Sequence, residues 1–319
     1  MRLLDYLFRA SVSASGSDPE LTTALDRAAG RVDPRLKQAR GWPKRFSRPV
    51  GAALAQARRV AQAIPGPIEL DAGRYSGDPL IRALFTSADD IHRHCRDSDA
   101  LRDYAAGNDG DEAYVLLSAR REEKQTFGME EHNGILRRDV PQQVVWFTDH
   151  RFMGPAATPA EARDKLTWTL FERFLERLAV GVERLRADKA RLAREKELTL
   201  SRLKNAEPLQ RVELRRALTN VLKQLGEATE SLELEHMHEV FETVLSHPED
   251  CLYLEECRLT LDAMGVVCPE SNNGDALTLA ITELFERYHE RRTVFLAHCR
   301  GLRSVFQEPL RPEAYDRLL

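Results

Sequence analysis

The sequence predicts a predominantly helical α+β protein in which a small antiparallel sheet is inserted before a long helical hairpin. Three observations carry that expectation. A 3-4 apolar periodicity runs from Thr158 to His247 with a single break. A short β-rich stretch, residues 113–152, precedes it. Around both lie helix-start signals and alanine-rich amphipathic segments.

The hairpin begins at Thr158, an N-cap candidate followed by Pro159, whose missing N–H costs nothing at the first helical position. Glu161 completes a capping-box spacing. No proline then occurs before Lys204, and Phe171, Leu175, Leu178, Val182, Leu185, Leu192, Thr199 and Leu203 recur at helical spacing, with Lys189 and Lys196 on the same seam. A helix of roughly 45 residues would span roughly 68 Å. Lys204-Asn205-Ala206-Glu207-Pro208 breaks it, because proline disfavours helix in the residue before it. The second arm carries Leu214, Leu218, Val221, Leu225, Ala228 and Leu232, shifts phase to Met237, Val240, Phe241, Val244 and Leu245, and ends at Pro248. A short connection between long arms makes them antiparallel neighbours, with the look of a coiled coil.

Residues 1–110 read as short helices. Asp18-Pro19, Asp33-Pro34 and Asp78-Pro79 each pair an N-cap with proline at the first helical position. Val50–Ile64 reads as a helix stopped by Pro65-Gly66-Pro67, with further helices over Leu80–Phe85, Ile91–Arg96 and Ala100–Ala106. Gly107 to Asp111 marks a boundary. Residues 111–155 form the sheet, expected as a meander of three or four strands: Tyr114–Leu117, Gln125–Met129, a run from Ile135, and Val144–Phe147, with Asn133-Gly134 as a hairpin turn. The hairpin occupies 156–247. Residues 248–319 are expected to be C-terminal helices packing back on the body: one over Cys251–Met264, a loop at Pro269–Gly274, and a long one capped by Asp275 and running to about Arg303, with Leu277, Ile281, Leu284, Tyr288, Phe295 and Cys299 as its stripe.

Composition narrows the function classes. A net charge of −4 and a pI near 6.2 speak against a generic polyanion binder. Of the 47 basic residues eight are lysine, and a GC-rich coding sequence would explain the arginine excess without any phosphate-binding role. Five cysteines without a Cys-x-x-Cys pair suit a reducing compartment. Met1–Phe8 is too short for a signal h-region and no apolar run reaches membrane-spanning length, so a soluble, cytoplasmic protein is expected, with no membrane contact.

Charge is unevenly placed. Arg35 to Arg59 holds eight basic residues and no acidic one (Arg35, Lys37, Arg40, Lys44, Arg45, Arg48, Arg58, Arg59), with Trp42 and Phe46 interleaved. That is the local composition of a nucleic-acid-binding segment. Gly226 to Glu256 holds ten acidic residues and no lysine or arginine, so the two stretches are suited to face each other.

Candidate chemistry is sparse. Glu235-x-x-His238 and Glu286-x-x-His289, if helical, would each place two ligands on one face, as carboxylate-bridged helical-bundle metalloenzymes do; two such pairs are close to chance occurrence in this composition. Asp89, Asp90, His92, His94 and Cys95 form a second polar cluster, but the two histidines splay apart on a helix. His150 beside Asp149 has the residue types of a base oriented by a carboxylate, with no assignable nucleophile. Cys251, Cys257 and Cys268 lack metal-ligand spacing. Phosphate-loop, dinucleotide, zincin and nucleophile-elbow patterns are absent from the sequence, and no cofactor is expected. The function expected is therefore that of a non-enzymatic interaction, scaffold or adaptor protein. Its hairpin would hold a protein partner or a second copy. A nucleic-acid-associated factor and a metalloenzyme are the alternatives.

Overall fold

The computed structural model describes residues 18–108, 110–132, 135–245, 247–262, 264–268, 277–286 and 291–307. The chain divides into two compact units, each built from two separated stretches: residues 1–55 with 171–248, and 56–170 with 249–319. Two of the three boundaries fall inside helices, α2 (Lys44–Ala63) and α6 (Pro159–Lys204), and the third at Pro248–Glu249.

The first unit holds α1 (Pro19–Val32), the first part of α2, most of α6, α7 (Pro208–Ser231) and α8 (Met237–Val244). The Asp-Pro signals act as expected. Asp18 accepts the Glu20 amide at 3.0 Å to cap α1, and Asp33 accepts that of Arg35 at 3.0 Å to cap a 3-10 turn at Pro34–Gln38. The core is where α1 and α2 (Leu25, Phe46, Val50) and the first turns of α6 within this unit (Phe171, Leu175, Leu178) bury their stripes with Phe241 of α8. Phe46 and Phe241 meet edge to face with centroids 5.1 Å apart. The phase shift before Met237 corresponds to a turn at 232–236, so the second arm is two helices rather than one.

The second unit is built on a six-stranded sheet: β1 (Ile68–Leu70), β2 (Glu112–His132), β3 (Ile135–Ala156), β4 (Leu252–Leu261), β5 (Leu277–Glu286) and β6 (Arg292–Arg300). The strand order is β3-β2-β6-β5-β4, all antiparallel, and β1 pairs parallel to β6. The sheet curls until its two ends meet. Val145 donates to Gly265 at 2.8 Å and Val267 to Gln143 at 2.8 Å, while Cys268 donates to Thr260 at 2.9 Å. The short segment Gly265–Cys268 thereby joins β3 to β4 and closes a small barrel. Its inner face carries Ala113, Val115 and Leu117 of β2, Val145 and Phe147 of β3, Leu279 and Ile281 of β5, and Phe295 and Ala297 of β6. Four short helices share that core: α3 (Pro79–Leu84), α4 (Ala88–Asp97), α5 (Asp99–Gly107) and α9 (Leu302–Gln307). Asp78 caps α3 through the Leu80 and Ile81 amides at 2.9 and 3.3 Å, the third Asp-Pro signal. Gly66 turns the chain from α2 into β1 at φ +118°, and a Cβ there would overlap the Leu296 carbonyl oxygen.

These observations correct the predicted fold class. The protein is mixed α/β with a substantial curled antiparallel sheet, not predominantly α, although the long helical hairpin α6–α7 is present. The expected C-terminal helices are strands β4, β5 and β6. The sequence Leu277-Thr278-Leu279-Ala280-Ile281-Thr282 alternates with period two, and Leu277 and Ile281 fit that period as well as a helical i, i+4 spacing. β-branched Thr278, Thr282, Thr293 and Val294 favour the strand. The meander is a single long hairpin: four short runs merge in pairs into strands of 21 and 22 residues, interrupted by three register shifts. Pro141 lies in β3 opposite Phe127, on the part of the hairpin beyond the pairing with β6. Asn133-Gly134, Pro269–Gly274, Asp275 and Met1–Phe8 lie outside the described residues. Among the described residues no helix is long and apolar enough to cross a membrane.

Candidate functional site

The hairpin is the feature whose surface is least explained by the fold. Near its base, Phe171, Phe174, Leu175, Leu178 and Val182 are all buried. Further along, burial thins to a seam one residue wide: Leu192, Thr199 and Ala206 on the first arm and its turn, and Val221 on the second. Lys189 and Lys196 occupy that seam half-buried, as their spacing predicts, and the Lys196 ammonium reaches Glu197 at 2.9 Å. The turn is held by the Arg211 guanidinium, which donates to the Ala206 carbonyl at 2.8 Å.

Large apolar side chains outside the seam face solvent. Leu209 is 88% exposed and Leu198 60%, with Val212 at 54% and Leu222 at 48%. Leu209 and Val212 are one helical turn apart and share a face. Between Leu198 and Arg216 stand five basic residues (Arg202, Lys204, Arg211, Arg215, Arg216) against two acidic ones, Glu207 and Glu213. The outer hairpin is therefore an apolar surface in a basic setting.

The basic segment Arg35–Arg59 is partly neutralised within its own unit. Arg35 pairs with Asp33 at 2.6 Å, and that contact, ahead of the opposing cost of burial, holds the Asp33 carboxyl below its usual range. Lys37 pairs with Asp26 at 2.6 Å. The Arg40 amide reaches Glu235 at 3.4 Å and Arg45 reaches the His238 ring at 2.6 Å, bringing the basic segment against the start of the acidic one. Lys44 and Arg48 lie on the first turns of α2.

The two Glu-x-x-His pairs do not share a structural setting. Glu235 lies in the turn before α8 and His238 in the first turn of α8, where its Nδ1 meets the Glu235 carbonyl at 3.0 Å and its Nε2 meets Arg45. Glu286 ends strand β5, not a helix, and His289 lies outside the described residues. Among the described residues no group of three or more histidine, cysteine or carboxylate side chains is placed to hold a metal ion.

The structure does bring together two clusters that the sequence keeps apart. The rings of His94 (α4) and His150 (β3) lie 4.5 Å apart, and Phe85 stacks on His150 at 4.7 Å. His150 Nε2 meets the Leu84 carbonyl at 2.7 Å. Burial, helped by the neighbouring His94, pushes the His150 pKa down to about 4, so the ring is neutral at physiological pH. Asp149 does not orient it. A bulge at φ +50° places Asp149 against Arg151 at 2.7 Å and Arg292 at 2.9 Å instead. Asp90 accepts from the Thr86 amide at 3.0 Å and pairs with Arg93, a structural role.

Two buried polar groups escaped the sequence reading. Arg121 and Glu283 meet at 3.3 Å, both side chains almost wholly buried, with Glu123 2.9 Å from Arg121 and Arg291 3.5 Å from Glu283. Burial raises the Glu283 pKa, opposed by the two arginines. Across the sheet, buried His298 bridges Glu69 at 3.0 Å and Glu112 at 3.1 Å and stacks on Tyr114 at 4.2 Å, tying β1 and β2 to β6. The signal for Arg121 and Glu283 was a charge continuing an apolar period-two run: Ala113, Val115, Leu117, Ala119, then Arg121; Leu279, Ile281, then Glu283.

Comparison with protein-family models, with curated proteins and with solved structures gives no match.

Proposed function

We propose that this chain is a protein-interaction module whose outer hairpin receives an amphipathic helix of a partner protein. The helix would carry an apolar stripe flanked by acidic residues. The observation that supports the reading is the exposure of Leu198, Leu209 and Val212 amid an excess of arginine and lysine, on arms whose own seam is narrow. An isolated pair of arms with so thin a seam gains little from its own burial, and a third helix laid along it removes further apolar area at about 25 cal/mol per Å2. The acidic flanks complement Arg215 and Arg216 and set orientation more than affinity. The five free thiols are consistent with a reducing location, and the cytoplasm is the compartment we propose.

The test is a photo-crosslinking amino acid placed at Leu209 in the full chain, in the cells that make it, with the attached peptide sequenced. An acidic, helix-forming peptide from one other protein, lost when Arg215 and Arg216 are replaced by glutamate, is the expected result. A peptide from this chain itself would replace the partner by a second copy. Crosslinks to nucleic acid, or to no partner above the level of an exposed control position on the other unit such as Lys124, would overturn the reading.

A further inference from the structure

A second site lies in the barrel unit, independent of the hairpin. A cleft of about 520 Å3 opens beside the closing segment of the barrel, within the size range of small-molecule sites. Its walls come from α3 and its flanking loops, from Val145–Phe147 of β3, from Asp262, Met264 and Gly265, and from the start of β5. Trp146, Met264 and Leu277 line it while remaining exposed, at 39%, 83% and 38%, and Phe85 and Phe147 close its floor. Among the described residues three large apolar side chains stay open around one concavity, a concentration that marks interaction sites more often than scattered surface residues do.

The polar groups in the wall are nearly all engaged. The Tyr75 hydroxyl donates to the Thr86 carbonyl at 2.7 Å, and the Thr86 hydroxyl donates to Asp90 at 2.9 Å. Asp262 accepts the Met264 and Val266 amides at 2.8 and 2.9 Å, both through Oδ1, which holds that oxygen in its own turn. Arg82 is the exception. Its guanidinium is exposed and makes no ion pair or side-chain hydrogen bond among the described residues. The cleft thus offers an aromatic and aliphatic wall with one uncommitted planar cation, a fork suited to a carboxylate.

We propose that this cleft binds a small amphiphile: an apolar acyl or aryl body against Trp146, Met264 and Leu277, with a single carboxylate on Arg82. Gly265 shapes the wall. Its φ of +79° and the Val145 carbonyl oxygen, which a Cβ would meet at 2.7 Å, allow only glycine where the closing segment presses on β3.

Calorimetric titration of the full chain with decanoate, 1-decanol and acetate, below the micellar range, tests the assignment, with tryptophan emission as the reporter of location. Decanoate binds saturably at one site and shifts the emission, decanol binds about tenfold more weakly, and acetate does not bind at these concentrations. Arg82→Gln weakens decanoate about tenfold and leaves decanol unchanged. Trp146→Phe abolishes the emission shift. Equal affinity for decanoate and decanol, or an Arg82→Gln variant that binds decanoate as the parent does, would overturn the carboxylate assignment. Saturable binding that leaves Trp146 emission unaltered would move the site elsewhere, and no saturable binding by either ten-carbon probe would dismiss the cleft as a site. Arg82 is exposed, so its replacement leaves melting unchanged.

Discussion

His150 carries a titration that the fold moves far from its ordinary value. Its pKa falls from 6.5 to about 4 because the fold buries the ring beside His94. The unfolded chain therefore binds a proton that the folded chain refuses. Stability is complete above the unfolded value and is lost as pH drops from 6.5 toward 4. The expected loss between pH 7 and pH 5 is about 2 kcal/mol, and His150→Gln should flatten that part of the denaturant-midpoint profile. A profile identical in parent and variant would place the titration elsewhere. Gly66→Ala is the second residue-scale test. The positive φ and the overlap with Leu296 predict a loss of several kcal/mol, where an unstrained site would gain stability from the same change. Arg163 donates to the Ala61, Gln62 and Ile64 carbonyls at 2.6, 3.1 and 3.0 Å, closing the C-terminus of α2, and Arg163→Met should cost about 1–3 kcal/mol by calorimetry.

At the scale of the element, the hairpin seam makes a paired prediction. Val221→Asp places a charge where the side chain is 5% exposed and should destabilise the hairpin by several kcal/mol. Leu222→Asp, one residue away and outside the seam, should stay within about 0.5 kcal/mol. Equal effects would mean that the seam is misplaced. The hairpin was legible because its signals are local: the Thr158 hydroxyl accepts the Glu161 amide at 3.2 Å, the arms break at 205–207, and Leu214, Leu218, Val221 and Leu225 alternate with exposed neighbours as their spacing demands. The Asp-Pro caps were legible for the same reason. The C-terminal strands were not. Among the described residues β5 and β6 pair with each other only at Glu283–Thr293 and Leu284–Arg292, and β6 takes most of its ladder from β2, nearly two hundred residues earlier in the chain. No local window carries that information, and a stripe such as Leu277, Ile281 and Leu284 satisfies helical spacing until the partner strand is known. The candidate site was half legible. The basic tip and the seam lysines could be read from spacing, but the exposure of Leu198 and Leu209 could not, since apolar character alone does not say which residues of an arm the seam covers.

For the molecule as a whole, the sequence suggests consecutive divisions, whereas each compact unit is assembled from two stretches joined through α2 and α6. Strand pairing between β6 and both β1 and β2 makes the barrel a product of long-range closure. In the other unit the outer arms offer the surface that we propose a partner helix completes. The most direct measurement is amide hydrogen exchange of the full chain with and without the acidic peptide recovered by crosslinking from Leu209. The account predicts slowed exchange on both arms around 192–222, unchanged exchange in β2–β6, and loss of the effect when Arg215 and Arg216 are replaced by glutamate. Protection confined to the barrel unit, or no protection at saturating peptide, would contradict it.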